Sequence, residues 1–211
     1  DLLSCLQKCI LKEEKLKLNL LLLKVKNNMI KEQQKRKKIG TVIKQDTLEK
    51  QAKTVYLAIG SNLGNRISNI EKAKYKLSEN GVEIIKSSAY YETLSWPDPK
   101  NPKFYNIVIK IKTILNPRDL LSTCKKIEKK LGRKKSTINS PRKCDIDIID
   151  YDTKISKKGI NLPHPRMHKR NFVLIPLFEI SRDWKHPSLH KHIKTLILSL
   201  SNRDISSIKL I

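Results

Sequence analysis

Between Thr54 and Tyr151 the apolar residues change period repeatedly, from two to about 3.6 and back, and this limits what the chain can fold into. Thr54 to Ile59 (TVYLAI) is a short β-rich run ending in Gly60-Ser61-Asn62-Leu63-Gly64-Asn65, a turn into a helix. Ile67, Ile70, Ala73 and Leu77 give that helix an apolar stripe, and Asn80-Gly81 closes it. Val82 to Thr93 reads as a second strand region, followed by the Pro-rich loop Trp96 to Pro102. From Phe104 to Ile114 the chain alternates, with Ile107, Ile109 and Ile111 on one face and Lys110 and Lys112 on the other. The next helix has Asn116 to cap it, Pro117 at its first position and Asp119 against its dipole. Its buried face is expected at Leu120, Cys124, Ile127 and Leu131, with Gly132 at its end. Asp145 to Tyr151 (DIDIIDY) is another alternating strand, and Asn171–Ile180 and Leu189–Leu200 read as further helical segments. The order β-α-β-β-α-β predicts an α+β fold of ferredoxin-like type, with helices on one face of an antiparallel sheet.

Residues 1–53 have a different texture: 14 basic and 6 acidic residues, one Gly, no Pro and no aromatic residue. Leu16, Leu20 and Leu23 recur at helical spacing, but nothing there supplies a core, so a helical or disordered basic extension is expected. The remainder, 54–211, is expected to be the working domain. Leu18 to Leu23, the longest uncharged apolar run near the N-terminus, is far short of the roughly 20 residues that span a bilayer. A membrane-spanning protein is therefore excluded, and charges interrupt every segment that would serve as a signal peptide. The chain opens at Asp1 rather than Met, so the natural N-terminus is expected to lie upstream. Cys5, Cys9, Cys124 and Cys144 form no CxxC pair and no metal-ligand spacing, which makes the reducing cytoplasm the expected compartment.

A formal charge of +25 in 211 residues points to phosphate-bearing partners, although AT-rich codons for Lys, Ile and Asn are a competing source of it. Gly60 to Gly64 opens a helix after a strand, but Gly64 is followed by Asn65 and Arg66 rather than Lys and Ser/Thr, which excludes a Walker loop. Lys125 to Lys143 carries nine basic residues, Arg133, Lys134, Lys135, Arg142 and Lys143 among them, against a single Glu. This run leads directly into Asp145 and Asp147, which project from one face of their strand while Ile146 and Ile148 fill the other. Paired carboxylates repel unless a cation lies between them, and Mg²⁺ favours one or two carboxylates plus phosphate oxygens. Cations beside such a metal hold the remaining phosphate charge, an arrangement suited to phosphoryl transfer. The plainer alternative is that Asp145 and Asp147 only offset the nearby lysines. Phe104 and Asn106 share a face, where a ring can stack on a flat heterocycle and an amide can bond its edge. His164 stands between Pro163 and Pro165, which fix its backbone, with Arg170 and Phe172 downstream.

Taken together, these residues resemble the 6-hydroxymethyl-7,8-dihydropterin pyrophosphokinases of folate biosynthesis. The blocks that carry the likeness are YLAIGSNLGNR, FYN at Phe104–Asn106, IEKKLGR ending at Arg133, PRKCDIDIIDYD from Pro141 and LPHPRMHKRNFVLIPLFEI from Leu162. They cover about Thr54 to Asp204 and imply an ATP-dependent diphosphotransferase with a ferredoxin-like fold. By that resemblance, Asp145 and Asp147 bind two Mg²⁺ ions that bridge the ATP phosphates. Phe104 and Phe172 sandwich the pterin, Asn106 and Thr93 read its edge, and Arg133, Arg142, His164 and Arg170 hold the triphosphate. Glu128 orders the basic loop. Catalysis falls to Arg133, Arg142, Asp145 and Asp147. The loop between Arg133 and Arg142 is one residue shorter than in some relatives, an Arg-Trp pair reads Ile138-Asn139, and an arginine before the Pro-His block falls at Gly159.

The competing class is a ferredoxin-like nucleic-acid-binding module. Such modules need aromatics on adjacent central strands, and only 5% of the residues here are aromatic. Small-molecule substrates and a monomer are expected, with no membrane or nucleic-acid partner.

Overall fold

A computed structural model of the chain describes residues 52–95, 98–133 and 140–211, which fall in one unit, Ala52–Ile211. The expected extension up to residue 51, Lys134, Lys135, Ile138 and Asn139, and Trp96 all lie outside the described residues. In chain order the elements are β1 (Lys53–Ser61), α1 (Arg66–Glu79), β2 (Glu83–Ser87), β3 (Tyr91–Thr93), β4 (Phe104–Thr113), α2 (Pro117–Lys130) and β5 (Asp145–Tyr151). A 3₁₀ turn (Met167–Lys169), α3 (Asn171–Ile180), α4 (Ile193–Leu198), α5 (Asn202–Ser207) and β6 (Lys209–Leu210) follow. The strands form one antiparallel sheet in the order β5-β1-β4-β3-β6, with β2 also paired to β4. Counting β2 and β3 as one interrupted strand, this is the ferredoxin-like order.

Local chemistry explains the helices. The side chain of Asn65 accepts from the Ser68 N–H at 3.0 Å, and that of Asn116 accepts from Arg118 and Asp119 N–H, so both N-termini are capped as the sequence suggests. Gly81 and Gly132 take the left-handed φ of +78° and +93° that lets the chain leave each helix. Ile70, Ala73 and Leu77 are buried from α1, and Leu120, Cys124 and Ile127 from α2. They pack on Val55, Leu57, Ile59, Ile107, Ile109, Ile111, Ile146 and Ile148 of the sheet.

Four expectations need correcting. The second strand region is broken into β2 and β3, because the β2 register shifts at Ile84/Lys86 and the backbone N–H of Ala89 then leaves the ladder to bond Glu179 of α3. Ile67 is 43% exposed, and the buried stripe of α1 starts only at Ile70. The C-terminal helix is shorter than Leu189–Leu200: His192 caps α4 with its ring nitrogen, and α5 follows as a separate turn of helix. Helices also cover both faces. α3 is apolar nearly all round, and it packs Val173, Leu174 and Leu177 with Tyr56, Val108 and Ile149 on the face away from α1 and α2. Between β1 and β5 the register shifts at Tyr56/Leu57, leaving Ile149 as an extra residue in a bulge. Ile149 follows Asp145 and Asp147 onto the α3 side by alternation; the bulge lets Asp150 reach Trp184 Nε1 on that side as well, at 2.8 Å, and returns Tyr151 to the α1/α2 core.

Candidate active site

Four strands bring the site together in one row. Gly60 of β1 pairs with Asp145 on one side and with Asn106 on the other, and Asn106 pairs in turn with Tyr91. Because residues two apart share a face, Asp145 and Asp147 stand with Ala58, Gly60, Phe104, Asn106 and Val108 on the α3 side of the sheet. Gly60 has no side chain for a local reason. A Cβ there would lie 2.9 Å from Asn106 Oδ1 and 3.3 Å from the Phe104 ring.

The acidic end is enclosed by cations from several elements. Arg133 Nη1 donates to Asp145 Oδ1 at 2.6 Å, and Arg142 Nη1 donates to Asp145 Oδ2 at 3.1 Å. Asp147 Oδ2 has Arg170 Nη1 at 3.7 Å and His164 Nε2 at 3.9 Å. Glu128 is buried and accepts through Oε1 from Lys125 Nζ at 2.9 Å and from the Ile146 N–H at 2.8 Å. Its Oε2 forms an ion pair with Arg133 Nη1 at 2.6 Å, so Glu128 ties the end of α2 to the start of β5. Burial opposes the charge of Arg133, but Asp145 and Glu128 outweigh it and hold the guanidinium above its ordinary pKa. His164 is placed by its own N–H donating to Ile149 O and by Nδ1 accepting from the Arg166 N–H. Burial lowers its pKa below 6.5, Asp147 works the other way, and Arg170 and Arg166 add to the lowering.

The other end of the row is the ring-binding candidate. Asn106 Nδ2 donates to Thr93 Oγ1 at 2.9 Å, and both side chains are buried. Phe104 pairs with Thr93 across β3 and β4. Phe172 opens α3 above the same face of the sheet, with the Arg170 guanidinium 5.3 Å from its ring centre. Thus Thr93, Phe104 and Asn106 are brought together, as are Glu128, Arg133, Arg142, Asp145, Asp147, His164 and Arg170, and Phe172 stands beside Arg170. Gly159 cannot stand in for an arginine: it has a φ of +78°, and its missing Cβ would lie 3.1 Å from Arg118 Nη2. On its other side, His164 borders a groove of about 390 Å³ that Pro163, Pro165, His168 and His186 also line.

No group of three or more His, Cys, Asp or Glu among the described residues is arranged to hold a metal unaided. Asp145 and Asp147 fit a hard cation that takes its other ligands from phosphate and water, which is how Mg²⁺ is usually held. Both oxygens of Asp145 are bonded by arginines, and phosphate arriving with the cation would give those guanidinium groups a new anionic partner. Two residues escaped the sequence reading. Gly60 and Asn62 looked like parts of a tight turn, yet one clears space for Asn106 and the other bonds to two separate loops. The only local signal was a buried-type amide directly after a strand.

Comparison with known proteins points the same way. The family model described as 7,8-dihydro-6-hydroxymethylpterin-pyrophosphokinase (HPPK) matches residues 56–182. The 2-amino-4-hydroxy-6-hydroxymethyldihydropteridine pyrophosphokinase of Aquifex aeolicus is 46% identical over 142 residues, 67% of this chain and 88% of that protein. The folic acid synthesis protein fol1 of Pneumocystis carinii is 41% identical over 155 residues, 73% of this chain but 21% of that protein. A crystal structure of Plasmodium falciparum HPPK-DHPS A437G with SDX-DHP shares the fold at a TM-score of 0.60 and 17% identity, covering 76% of this chain and 49% of that one. The chain therefore spans about a fifth of the fol1 relative and about half of the Plasmodium chain.

Proposed function

The chain belongs to the 7,8-dihydro-6-hydroxymethylpterin-pyrophosphokinase family, and on that premise we propose that it transfers pyrophosphate from ATP to 6-hydroxymethyl-7,8-dihydropterin. The observation that carries this reading is the row Asp145–Gly60–Asn106, which sets a cation-ringed carboxylate pair beside a buried amide on one sheet face. In the reaction the hydroxymethyl oxygen of the pterin attacks the β-phosphorus of ATP. The bond from that phosphorus to the α,β-bridging oxygen breaks, AMP leaves with the oxygen, and the hydroxyl proton passes to the surroundings.

Each side chain is given a part that its position supports. Asn106 and Thr93 hydrogen-bond the pterin edge, and Phe104 and Phe172 lie against its faces. Arg133 and Arg142 turn from Asp145 to the phosphates, while His164 and Arg170 hold the same chain of phosphates from the α3 side. Glu128 keeps Arg133 on the correct side of β5. Asp145 and Asp147 would hold two Mg²⁺ ions, which supply charge neutralisation and alignment of the phosphates when bound. Positioning and electrostatics of this kind account for most of phosphoryl-transfer catalysis.

Every residue named comes from one chain, so a monomer suffices. Among the described residues no helix is long and apolar enough to cross a membrane, and Cys124 and Cys144 are buried free thiols, which suits a reducing compartment such as the cytoplasm. The nucleic-acid-binding alternative is not supported. α3 covers the sheet face such modules leave open, and Asp145 and Asp147 would repel a phosphate backbone. Incubation with ATP, Mg²⁺ and the hydroxymethyl-dihydropterin, followed by nucleotide analysis, tests the proposal. AMP is the expected product; ADP or no turnover would overturn it.

A further inference from the structure

We propose that Asn62 is a positioning residue that fixes the pterin half of the site relative to the phosphate half; this rests on the functional reading above. Asn62 is 2% exposed and stands just beyond β1, the strand between the two halves. Its Oδ1 accepts from the Arg142 N–H at 2.7 Å, and its own N–H donates to Arg142 O at 3.1 Å. Its Nδ2 donates to Pro102 O at 3.1 Å and to Ser95 Oγ at 3.3 Å, while Ser95 Oγ donates to Pro102 O at 2.6 Å. Both donors of the amide are thus used within the protein, as is its oxygen, and it acts through its neighbours rather than on a substrate.

Those neighbours lead to the two halves. Ser95 lies two residues beyond Thr93, and Pro102 lies two residues before Phe104. Arg142 carries one of the guanidinium groups on Asp145 and lies three residues before it. The sheet ladders fix β3 against β4 and β5 against β1, but Ser95, Pro102 and Arg142 lie outside every ladder. A buried carboxamide spanning both loops therefore sets how far the hydroxymethyl group stands from the phosphates. An error of about 1 Å in that separation costs about a hundredfold in rate when catalysis is mostly alignment.

The test uses the full chain with Asn62→Ala and Asn62→Asp. Steady-state AMP formation gives kcat and KM, and calorimetry gives binding of a non-hydrolysable ATP analogue with Mg²⁺, and of the pterin, each alone and with the other bound. Asn62→Ala is expected to lower kcat per folded molecule at least tenfold with KM for ATP within about threefold; because a smaller folded fraction also lowers apparent kcat at constant KM, the folded concentration is taken from the calorimetric stoichiometry of the nucleotide analogue. Asn62→Asp keeps the acceptor for the Arg142 N–H and loses both donations, so it should bind the nucleotide normally while still losing kcat. Coupling between the two ligands, read as the change in affinity for one when the other is bound, should be smaller in both variants than in the wild type. Unchanged kcat per folded molecule in either variant, or a raised KM alone, overturns the inference while wild-type turnover leaves the functional reading intact. If Asn62→Ala does not fold, Asn62→Asp decides by the same criterion. Wild type that makes no AMP overturns the functional reading and the inference with it.

Discussion

At the scale of single residues, the two aspartates are not equivalent. Asp145 has a guanidinium on each oxygen, whereas Asp147 is approached only to 3.7 Å and 3.9 Å. Asn keeps the shape of either side chain but removes the charge a hard cation needs. Both Asp145→Asn and Asp147→Asn should therefore cut Mg²⁺-dependent turnover by about a thousandfold or more, roughly 4 kcal/mol of transition-state stabilisation. Their stabilities should differ. Asp145→Asn removes partly exposed ion pairs worth about 1 kcal/mol and should lower the metal-free Tm by about 2–4 °C, while Asp147→Asn should leave it nearly unchanged. Near-normal activity in either variant would remove the metal assignment. Away from the site, His186 is buried and its Nδ1 accepts from the N–H groups of Ser188 and Leu189 at 3.2 Å each. Burial, then the neighbouring His168, pushes its pKa down from 6.5 to about 4. Between those values the unfolded chain takes up a proton that the native ring refuses, so stability rises with pH across the window and is lost as pH falls from 6.5 toward 4. Thermal melts from pH 7 to 4 should show this loss, and His186→Gln should flatten it; an unaltered slope in that variant would assign the loss to other groups.

At the scale of elements, β1 carries the site because it is the strand between β4 and β5. Gly60→Ala places a methyl group 2.9 Å from Asn106 Oδ1 and 3.3 Å from the Phe104 ring, closer than either can remain. The amide would lose its alignment with Thr93, and pterin affinity should fall about tenfold while Mg²⁺-nucleotide affinity stays within about twofold, given that a neutral hydrogen bond contributes about 1 kcal/mol. Equal weakening of both ligands would mean that the substitution had disturbed the sheet rather than the pocket. The same strand shows what could be read without coordinates. Alternation at Phe104–Ile111 and Asp145–Ile148 assigns each side chain to a face, and that alone groups Phe104 with Asn106 and Asp145 with Asp147. Helix caps at Asn65 and Asn116 are equally local. The Ile149 bulge, the break between β2 and β3 and the burial of a second sheet face under α3 depend on where a partner element sits, which period-2 and period-3.6 patterns do not encode. Asn62 is the clearest case: its partner Arg142 is 80 residues away, so a residue that looks like turn chemistry in sequence is a joint in space.

At the scale of the whole molecule, the described cores lie within 55–200: one between the sheet and α1/α2, the other between the sheet and α3/α4. The site draws on β1, β3, β4, α2, β5, the segment from Leu162 to Arg170 and the start of α3, all within the unit Ala52–Ile211. β1 begins at Lys53, which pairs with Thr113 and forms an ion pair with Asp152 at 3.0 Å, so a chain starting at Ala52 keeps the full strand. We therefore expect removal of residues 1–51 to leave a folded, active protein. Loss of 13 Lys+Arg and 6 Asp+Glu takes the formal charge from +25 to +18 (25 − 13 + 6), so electrostatic attraction for ATP also persists. The truncated protein should keep its Tm within about 4 °C, equivalent to about 1 kcal/mol for a chain of this size. Its kcat/KM should stay within about tenfold of the full chain, or 1.4 kcal/mol. Measuring both separates two ways of failing. A lower Tm with proportionate loss of activity would mean that residues 1–51 contribute to stability. An unchanged Tm with kcat/KM reduced beyond tenfold would place part of the catalytic apparatus outside Ala52–Ile211, against the division at residue 52.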